Sequence, residues 1–395
     1  MKNAMPLPDL SKKHSEICGV PHGAESFILS QIATNSSQDF IYIACGEREA
    51  ESVRTGLEFF AGGKEIIVFP AWDCLPYDRA SPNAAVLAAR IVALSQIAAK
   101  SSKPRIIITT INAALQKLPP KSLIDRATFP LQAGKPLSHD KLVHFLSENG
   151  YRRTAKAMEA GEFAVRGSII DIIPSDRNEG IRLDTFGDHL ETIRSFDPIS
   201  QISSENIANI TLCPASEVIL NGTTIATFRE KYRSLFGAVT KEDQTYESIS
   251  EGRGNPGMEN LLPLFYDSLA TIFDYLPSAG VIIDSQADMA RKERLELIEE
   301  YYQARKNSTF SKKYSSLPYP TLSPQMLYLD EQNWVDILIN RNTITLKNFL
   351  SPDPSKNLDY RPARNFALDK LSGEELFDNF RSHTAACRER KRSML

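Results

Sequence analysis

The stretch DFIYIACGEREAESVRTGLEFFAGGKEIIVFP, residues 39–70, decides the fold of this chain. It begins with the apolar run DFIYIAC, continues with a helical segment, EREAESVRTGLEFFA, and ends with a second apolar run, KEIIVFP. Short, nearly uniform apolar strands on either side of a helix are typical of a parallel sheet that is buried on both faces. The stretch therefore predicts one strand–helix–strand unit of an α/β fold.

The same alternation continues on both sides of this stretch. FILSQIA, residues 27–33, has helical spacing, and PRIIITT, residues 104–110, is another short apolar strand. Between them PNAAVLAARIVALSQIAAK, residues 82–100, predicts a long helix with Pro82 near its first turn, where a missing N–H group costs nothing. These elements predict a first domain that begins with residues 16–127.

The pattern changes over residues 128–213. One helix, SHDKLVHFLSENG, is followed by GEFAVRGSIIDIIP, GIRLDTFGDHLETIRSFD and ENIANITLCP, which predict a small mixed sheet of antiparallel strands with a packed helix. Over residues 214–349 helices and strands return, with PLFYDSLATIFDYLP leading into the strand AGVIID. We therefore predict a discontinuous first domain, 16–127 and 214–349, with an inserted second domain.

The last part of the sequence predicts a linker and one more helix. Residues 350–365 are rich in proline and predict an interdomain linker. In residues 366–395, SGEELFDNFRSHTAACRERKR predicts a single helix. Because an isolated helix cannot bury its own apolar face, we expect this helix to begin a further domain that is truncated.

Composition excludes several classes of protein. The chain has 395 residues, of which 42% are hydrophobic, and its net charge of −3 argues against binding DNA through charge along its whole length. The five cysteines are scattered and form no C-x-x-C pair, which indicates reduced thiols. No apolar run is long enough for a signal peptide or a membrane span. These observations predict a soluble, cytoplasmic protein.

The stretch GVPHGAES, residues 19–26, partly fits the phosphate-binding pattern G-x-x-x-x-G-K-[ST]. Gly19 and Ser26 occupy the first and last positions, but Ala24 and Glu25 stand where glycine and lysine are needed. A carboxylate at that position repels phosphate, and the lysine that would neutralise phosphate is lost. The stretch is therefore interpreted as a helix start and predicts no cofactor; the alternative is residual ATP binding.

Other catalytic patterns are missing from the sequence. Asp73 and Asp78 are the nearest candidates for Mg²⁺ carboxylates, but both are interpreted as residues that cap turns before the Pro82 helix. The six histidines form no H-x-x-x-H pair, and no G-x-S-x-G motif occurs. We therefore predict no catalytic residue, no metal site and no enzymatic activity in this chain.

A binding surface is the more promising candidate. Strand alternation in GIRLDTFGDH places Arg182 and Phe186 on the face opposite Ile181 and Leu183. On the neighbouring strand Arg166 interrupts an apolar run. Arginine and aromatic residues dominate the energetics of protein–protein interfaces. The alternative stays open: the arginines would be ion-pair partners within the domain, and the aromatic ring a peripheral core residue.

The sequence also resembles a known family, the bacterial transcription-repair coupling factors, whose first domains are similar to those of the excision-repair protein UvrB. The resemblance covers residues 16 to about 290, and its most specific part is GEFAVRGSIIDIIPS followed by IRLDTFGDHLETIRSFD. It implies a non-enzymatic module that binds UvrA through the inserted domain, with Arg166, Arg182 and Phe186 as binding residues. It also implies a degenerate P-loop, RecA-like parallel-sheet domain.

Two departures distinguish the relatives. UvrB has an intact phosphate loop at residues 19–26 and a long DNA-clamping hairpin after the PYD region, whereas here PYDRASPNAAVLAAR passes directly into a helix. The coupling factors lack both features, so the resemblance is closer to them. We therefore expect an N-terminal part of such a factor, without the family's translocase motor and its regions for RNA polymerase and DNA. The alternative is a nucleotide-binding, UvrB-like repair enzyme.

Overall fold

The computed structural model describes residues 13–99, 101, 103–126, 128–177, 179–239, 243–310, 321–358 and 373–389. In chain order its strands are β1 His14–Cys18, β2 Phe40–Ala44, β3 Glu65–Phe69, β4 Arg105–Thr110, β5 Phe129–Gln132, β6 Lys135–Pro136, β7 Arg152–Arg153, β8 Glu162–Arg166, β9 Ile169–Ile172, β10 Gly180–Phe186, β11 His189–Phe196, β12 Ser203–Asn206, β13 Asn209–Leu212, β14 Gly280–Ile283 and β15 Thr343–Lys347.

The helices of the same residues are α1 Glu25–Thr34, α2 Glu47–Phe60, α3 Ala84–Ala98, α4 Ile111–Ala114, α5 Lys121–Arg126, α6 His139–Glu148, α7 Gly222–Phe236, α8 Gln244–Ser250, α9 Ile272–Tyr275, α10 Ala287–Phe310, α11 Pro324–Leu327, α12 Glu331–Ile339 and α13 Gly373–Glu389. Two 3₁₀ segments, Met258–Leu264 and Pro354–Lys356, complete the described elements.

A parallel sheet forms the centre of the first unit. Among the described residues its strand order is β1-β15-β14-β2-β4-β3, and every neighbouring pair is parallel. The parallel sheet predicted from residues 39–70 is thus confirmed. Because β14 and β15 lie between β1 and β2, residues from both sides of the second unit contribute to one sheet.

Both faces of this sheet are buried at its centre, as the apolar runs of β2 and β4 predict. Ile41 and Ile43 of β2 pack beneath α3, α4 and α12. Phe40 and Tyr42, which point to the other face, pack against α1 and α2. Side chains alternate along a strand, so a strand with helices on both sides must be apolar at every position.

The long helix α3 begins at Ala84, two residues later than the sequence predicted. Asn83 is its N-cap, and its side chain accepts a hydrogen bond from the Ala85 N–H group at 2.8 Å. Pro82 precedes the cap and lies outside the first turn. The amide oxygen of an asparagine satisfies an unpaired N–H group of the helix end, which proline cannot do.

The second unit contains a sheet of strand order β12-β11-β10-β9-β8-β7, with β6 paired to β11. The described pairs are antiparallel except β7–β8. Helix α6 covers one face, where Leu142 and Leu146 pack on Ile170 and Leu183. This is the small mixed sheet with a packed helix that residues 128–213 led us to expect.

The segment that precedes β14, after the chain has left the second unit, is less regular than its sequence suggests. PLFYDSLATIFDYLP contains the end of the first 3₁₀ segment and only a short helix, α9, before β14. Pro263 lies inside the 3₁₀ segment and has no N–H group for a helical ladder. The stretch is nevertheless buried, with Leu264, Phe265 and Phe273 each at most 1% exposed.

The described part of the predicted linker packs against the first unit. The Leu358 N–H group donates to the Cys18 carbonyl at 2.9 Å, and the Leu358 side chain is 6% exposed. Residues 350–358 therefore do not form a free linker. Residues 359–372 and 390–395 lie outside the described residues, and helix α13 has no buried residue.

Candidate functional site

The loop at residues 19–26 turns from β1 into α1, and its backbone donors already have acceptors. The N–H groups of Gly19 and Val20 donate to the carbonyls of Phe349 and Lys347, each at 3.0 Å. The Ala24 N–H group donates to the Pro21 carbonyl at 3.0 Å. A phosphate loop presents such N–H groups to the anion. In this chain these donors are used within the protein.

The Glu25 carboxylate folds back onto the loop that precedes it. Its Oε2 accepts a hydrogen bond from the Gly23 N–H group at 2.7 Å, so the carboxylate itself binds the loop backbone. Ser26, at the position of a metal-binding hydroxyl, is 5% exposed and packs against α2. The contact is close at Gly56 of α2, because a Cβ added to this glycine would lie only 2.2 Å from the Ser26 Oγ. The hydroxyl faces a helix, not an open site.

The carboxyl edge of the parallel sheet is acidic beside this loop. A small cavity there is lined by residues that include His22, Glu25, Tyr42, Cys45, Glu49 and Asp284. Burial, together with nearby Asp284, raises the pKa of the Cys45 thiol to about 12, which makes that thiol a poor nucleophile. Within the described ranges, no three His, Cys, Asp or Glu side chains are arranged to hold a metal ion.

Asp73 and Asp78 support turns, as the sequence predicted. Asp73 Oδ1 accepts from the Asn83 N–H group at 2.9 Å, and Asp78 Oδ1 accepts from the Ala80 N–H group at 3.3 Å. Both acceptors fix the chain immediately before α3. The two carboxylates therefore act on local backbone.

The outer face of the second sheet is the face opposite α6, and it carries all three residues singled out in the sequence. In the register, Arg182 lies opposite Asp171, and Arg166 and Asp184 lie on either side of Ile169. The face predicted for Arg182 and Phe186 is thus the one they occupy, since Ile181 and Leu183 are fully buried on the other.

Arg166 and Phe186 each end a strand at a tight turn. Arg166 precedes the turn Gly167–Ser168, and Phe186 precedes the turn Gly187–Asp188. Because β8 and β10 run in the same direction, both turns lie at the same end of the sheet. Thr185 joins them, since its N–H and hydroxyl groups donate to the Ser168 carbonyl at 3.0 and 2.7 Å.

The two exposed residues offer different chemistry. The Phe186 ring is 78% exposed, although it lies at the end of a strand whose other face is a closed core. Arg166 is exposed, and its guanidinium donates to the Ala155 carbonyl through Nε and Nη2 at 3.3 and 3.0 Å. The two residues present an aromatic surface and a positive charge on the same face and at the same end of the sheet.

Arg182 is more enclosed than the sequence suggests. Its Nε and Nη2 donate to the two oxygens of Asp171 at 2.7 and 2.9 Å, and its guanidinium lies 5.0 Å from the Phe196 ring centre. The Arg182 side chain is 16% exposed and that of Asp171 1%. The ion-pair interpretation left open by the sequence therefore describes Arg182 in this chain, whereas Phe186 is no core residue.

Sequence reasoning missed Asp171, the partner of Arg182. A signal was present, because Asp171 is the single charge in the apolar run SIIDIIP. A carboxylate in such a strand needs a cation on the adjacent strand. Only the register between β9 and β10 identifies which arginine supplies it.

Comparison with known proteins identifies the second unit. The family model described as the UvrB interaction domain matches residues 129–218. This range contains the whole outer face with Arg166, Arg182 and Phe186.

Curated relatives cover most of the chain. The transcription-repair-coupling factor of Rickettsia bellii (strain RML369-C) is 33% identical over 365 residues, 92% of this chain and 32% of its own length. The factor of Haemophilus influenzae is 30% identical over 84% of this chain and 29% of its own length. The factor of Escherichia coli (strain K12) is 27% identical over 84% of this chain and 28% of its own length. The chain thus spans about a third of the length of these relatives. None of the described helices combines the length and hydropathy that a bilayer crossing requires.

Proposed function

This chain matches the N-terminal region of the bacterial transcription-repair-coupling factors, and on that premise we propose that it is an adaptor that recruits UvrA in transcription-coupled nucleotide excision repair. The binding element is the unit that matches the UvrB interaction domain. In the proposed role, UvrA is brought to RNA polymerase stalled at damaged DNA.

One observation carries the proposal. The outer face presents an aromatic ring, Phe186, that is 78% exposed, on a strand whose opposite face is a closed core. Isolated exposed apolar residues are common, but this ring lies at a hairpin end, on the same face and at the same end of the sheet as Arg166. Aromatic rings and arginines are among the side chains that contribute most to binding in protein–protein interfaces.

We propose further that the parallel-sheet unit is a degenerate P-loop, RecA-like domain without catalytic activity, and that it holds the binding unit in place. Support comes from the loop at residues 19–26, where Glu25 accepts the Gly23 N–H group and the Ser26 hydroxyl packs on α2. A fold can retain its packing after losing its chemistry.

The affinity of the full chain for purified UvrA tests the proposed function. We expect Arg166→Ala and Phe186→Ala each to weaken binding by about 2 kcal/mol, roughly 30-fold, because hot-spot residues lose about that much on truncation. Phe59→Ala is the matched control, since Phe59 on α2 is 83% exposed but lies on the first unit. Calorimetry or interferometry measures the dissociation constants.

The control should bind UvrA like the wild type. If folded Arg166→Ala and Phe186→Ala variants also bind like the wild type, the outer face is not the UvrA site. If the wild-type chain shows no affinity for UvrA, the adaptor role itself is wrong.

A further inference from the structure

The outer face extends from the two hairpin ends to the loop at residues 197–202, which joins β11 to β12. This loop is closed by its own backbone, because the Asp197 N–H group donates to the Ile202 carbonyl at 3.1 Å and the Gln201 N–H group to the Asp197 carbonyl at 2.7 Å. Gln201 has a φ of 64°, an uncommon backbone state that the surrounding contacts must hold.

Arg182 supplies two of those contacts. Its Nη1 donates to the Gln201 carbonyl at 3.3 Å and to the Ser203 hydroxyl at 3.1 Å, while Nε and Nη2 are held by Asp171. The Gln201 side chain then reaches the Ala157 carbonyl, 3.1 Å from Nε2. Arg182 thus ties the loop to the outer face, and little of its side chain is left for a partner.

The loop presents apolar side chains to solvent. Ile199 is 81% exposed and Ile202 70% exposed, although the backbone between them is fixed. Met158, next to the Ala157 that Gln201 contacts, is 47% exposed. Burying large aliphatic side chains against a partner would release ordered water without any cost of ordering the loop.

The strand that leads to this loop carries polar atoms without partners. Among the described residues, Thr192 Oγ1, Arg194 Nε and Gln201 Oε1 are buried and make no hydrogen bond. Arg194 lies directly opposite Arg182, and its Nη2 is 3.7 Å from an Asp184 oxygen, beyond hydrogen-bonding distance. Its side chain is 38% exposed. Unlike Arg182, Arg194 retains donors for a carboxylate outside the chain.

We propose that the UvrA-binding surface continues along β11 onto the 197–202 loop, with Arg194, Ile199 and Ile202 as contacts, and that Arg182 is a positioning residue for this loop. The inference rests on the proposed function. A standard interface covers about 800 Å² on each partner, a patch roughly 30 Å across. Phe186 and Arg182 are roughly 13 Å apart along β10, so a patch that includes both reaches the loop. The matching UvrA surface would offer carboxylates beside an apolar centre.

The contacts are tested by dissociation constants of the full chain with purified UvrA. We expect the double variant Ile199→Ser/Ile202→Ser to bind about tenfold more weakly and Arg194→Gln about fivefold more weakly, with a smaller salt dependence. Phe59→Ser, at an exposed ring of the first unit, is the matched control and should bind like the wild type. Phe186→Ala reports separately on the proposed function.

The positioning role is tested by hydrogen exchange of the free chain. Arg182→Gln removes the donors to Gln201 and Ser203, so we expect amides of residues 197–203 to exchange at least about tenfold faster while those of β2 and β4 do not change. A residue that acted only by touching UvrA would weaken binding without changing exchange in the free chain.

Three outcomes overturn the inference. In the first, the loop variant and Arg194→Gln bind UvrA like the wild type, whereas Phe186→Ala binds weakly. This result contradicts the extended surface but agrees with the proposed function. Unchanged exchange at 197–203 in Arg182→Gln removes the positioning role. Wild-type binding by Phe186→Ala as well as by the loop variant removes the proposed site together with its extension.

Discussion

The carboxyl group of Glu259 links the stability of this chain to pH near neutrality. It lies in the first 3₁₀ segment, is 2% exposed, and accepts a hydrogen bond from the Ser81 hydroxyl at 2.7 Å. Burial raises its pKa from 4.5 to about 7, with a further increase from the charge of Glu217. Close to neutral pH this group therefore changes charge inside the protein.

Glu259→Gln should stabilise the chain above neutral pH. Below about pH 4.5 the carboxyl is neutral in both states and has no effect; between about 4.5 and 7 the unfolded chain loses the proton and the folded chain retains it. The wild type therefore loses stability across that interval, by about 3 kcal/mol, and the amide does not. Urea unfolding at a series of pH values, followed by circular dichroism, measures the difference.

Glu230→Gln is the control for this prediction, because Glu230 is an exposed carboxyl on α7. The difference in stability between the Glu230→Gln variant and the wild type should stay constant over the same pH interval. A constant difference between Glu259→Gln and the wild type from pH 5 to pH 8 would show that Glu259 does not titrate there.

At the scale of elements, two tight turns organise the outer face. Gly167 and Gly187 have φ values of 61° and 56°, each at the first central position of a two-residue hairpin connection. A positive φ at that position is what a type II′ turn requires, and its twist suits antiparallel strands. The turns place Arg166 and Phe186 at adjacent hairpin ends.

Gly187→Ala should lower the free energy of unfolding by about 1–2 kcal/mol, because a Cβ is unfavourable at positive φ. The cost is purely conformational, since no atom lies within 4 Å of the added Cβ. Gly222→Ala is the matched control: it also adds a Cβ in open space, but at the start of α7 and without positive φ. The control should leave stability unchanged or raise it slightly. Equal urea midpoints for the two variants would contradict this account.

At the scale of the whole molecule, the segment 213–220 joins the two units. Glu217 is fully buried, accepts from Arg90 Nη2 at 2.9 Å and from Trp72 Nε1 at 2.8 Å, and so attaches the segment to the first unit. The Ala215 N–H group donates to the Asn149 carbonyl at 2.8 Å and attaches it to the second. Removing one partner of a buried ion pair leaves an uncompensated charge, so Glu217 and Arg90 depend on each other at this junction.

The first unit is expected not to bind nucleotide. Titration of the chain with MgATP to millimolar concentration should give no saturable heat in calorimetry, because Glu25 and the carbonyls of Phe349 and Lys347 already accept the loop N–H groups. Glu25→Gln removes the negative charge and keeps the side-chain shape, and it should not bind either. Saturable, Mg²⁺-dependent binding by the wild type would favour the alternative of a nucleotide-binding repair enzyme.

Much of the architecture could be predicted from local patterns. The central strands β2 and β4 are buried at every position, and the apolar runs in FIYIA and RIIITT identify a sheet buried on both faces. The alternation in GIRLDTF correctly separated the buried Ile181 and Leu183 from the outer Arg182 and Phe186. The 3₁₀ segment at Met258–Leu264 was not predictable in this way, because Glu259 and Asn260 are buried together with its apolar side chains and the segment has no clear period.

The sequence by itself determined which apolar side chains of the regular strands and helices face the core, because they recur at the period of each element. It also determined that residues 19–26 lack the glycine and lysine of a phosphate loop. Only the tertiary structure decided which polar groups meet. The register of β9 with β10 pairs Arg182 with Asp171, and Arg182 also donates to the 197–202 loop. On the same face, the side chains of Arg166, Arg194 and Phe186 reach solvent. Hydrogen bonds and ion pairs act over a few ångströms between residues far apart in the chain, and no local pattern specifies them.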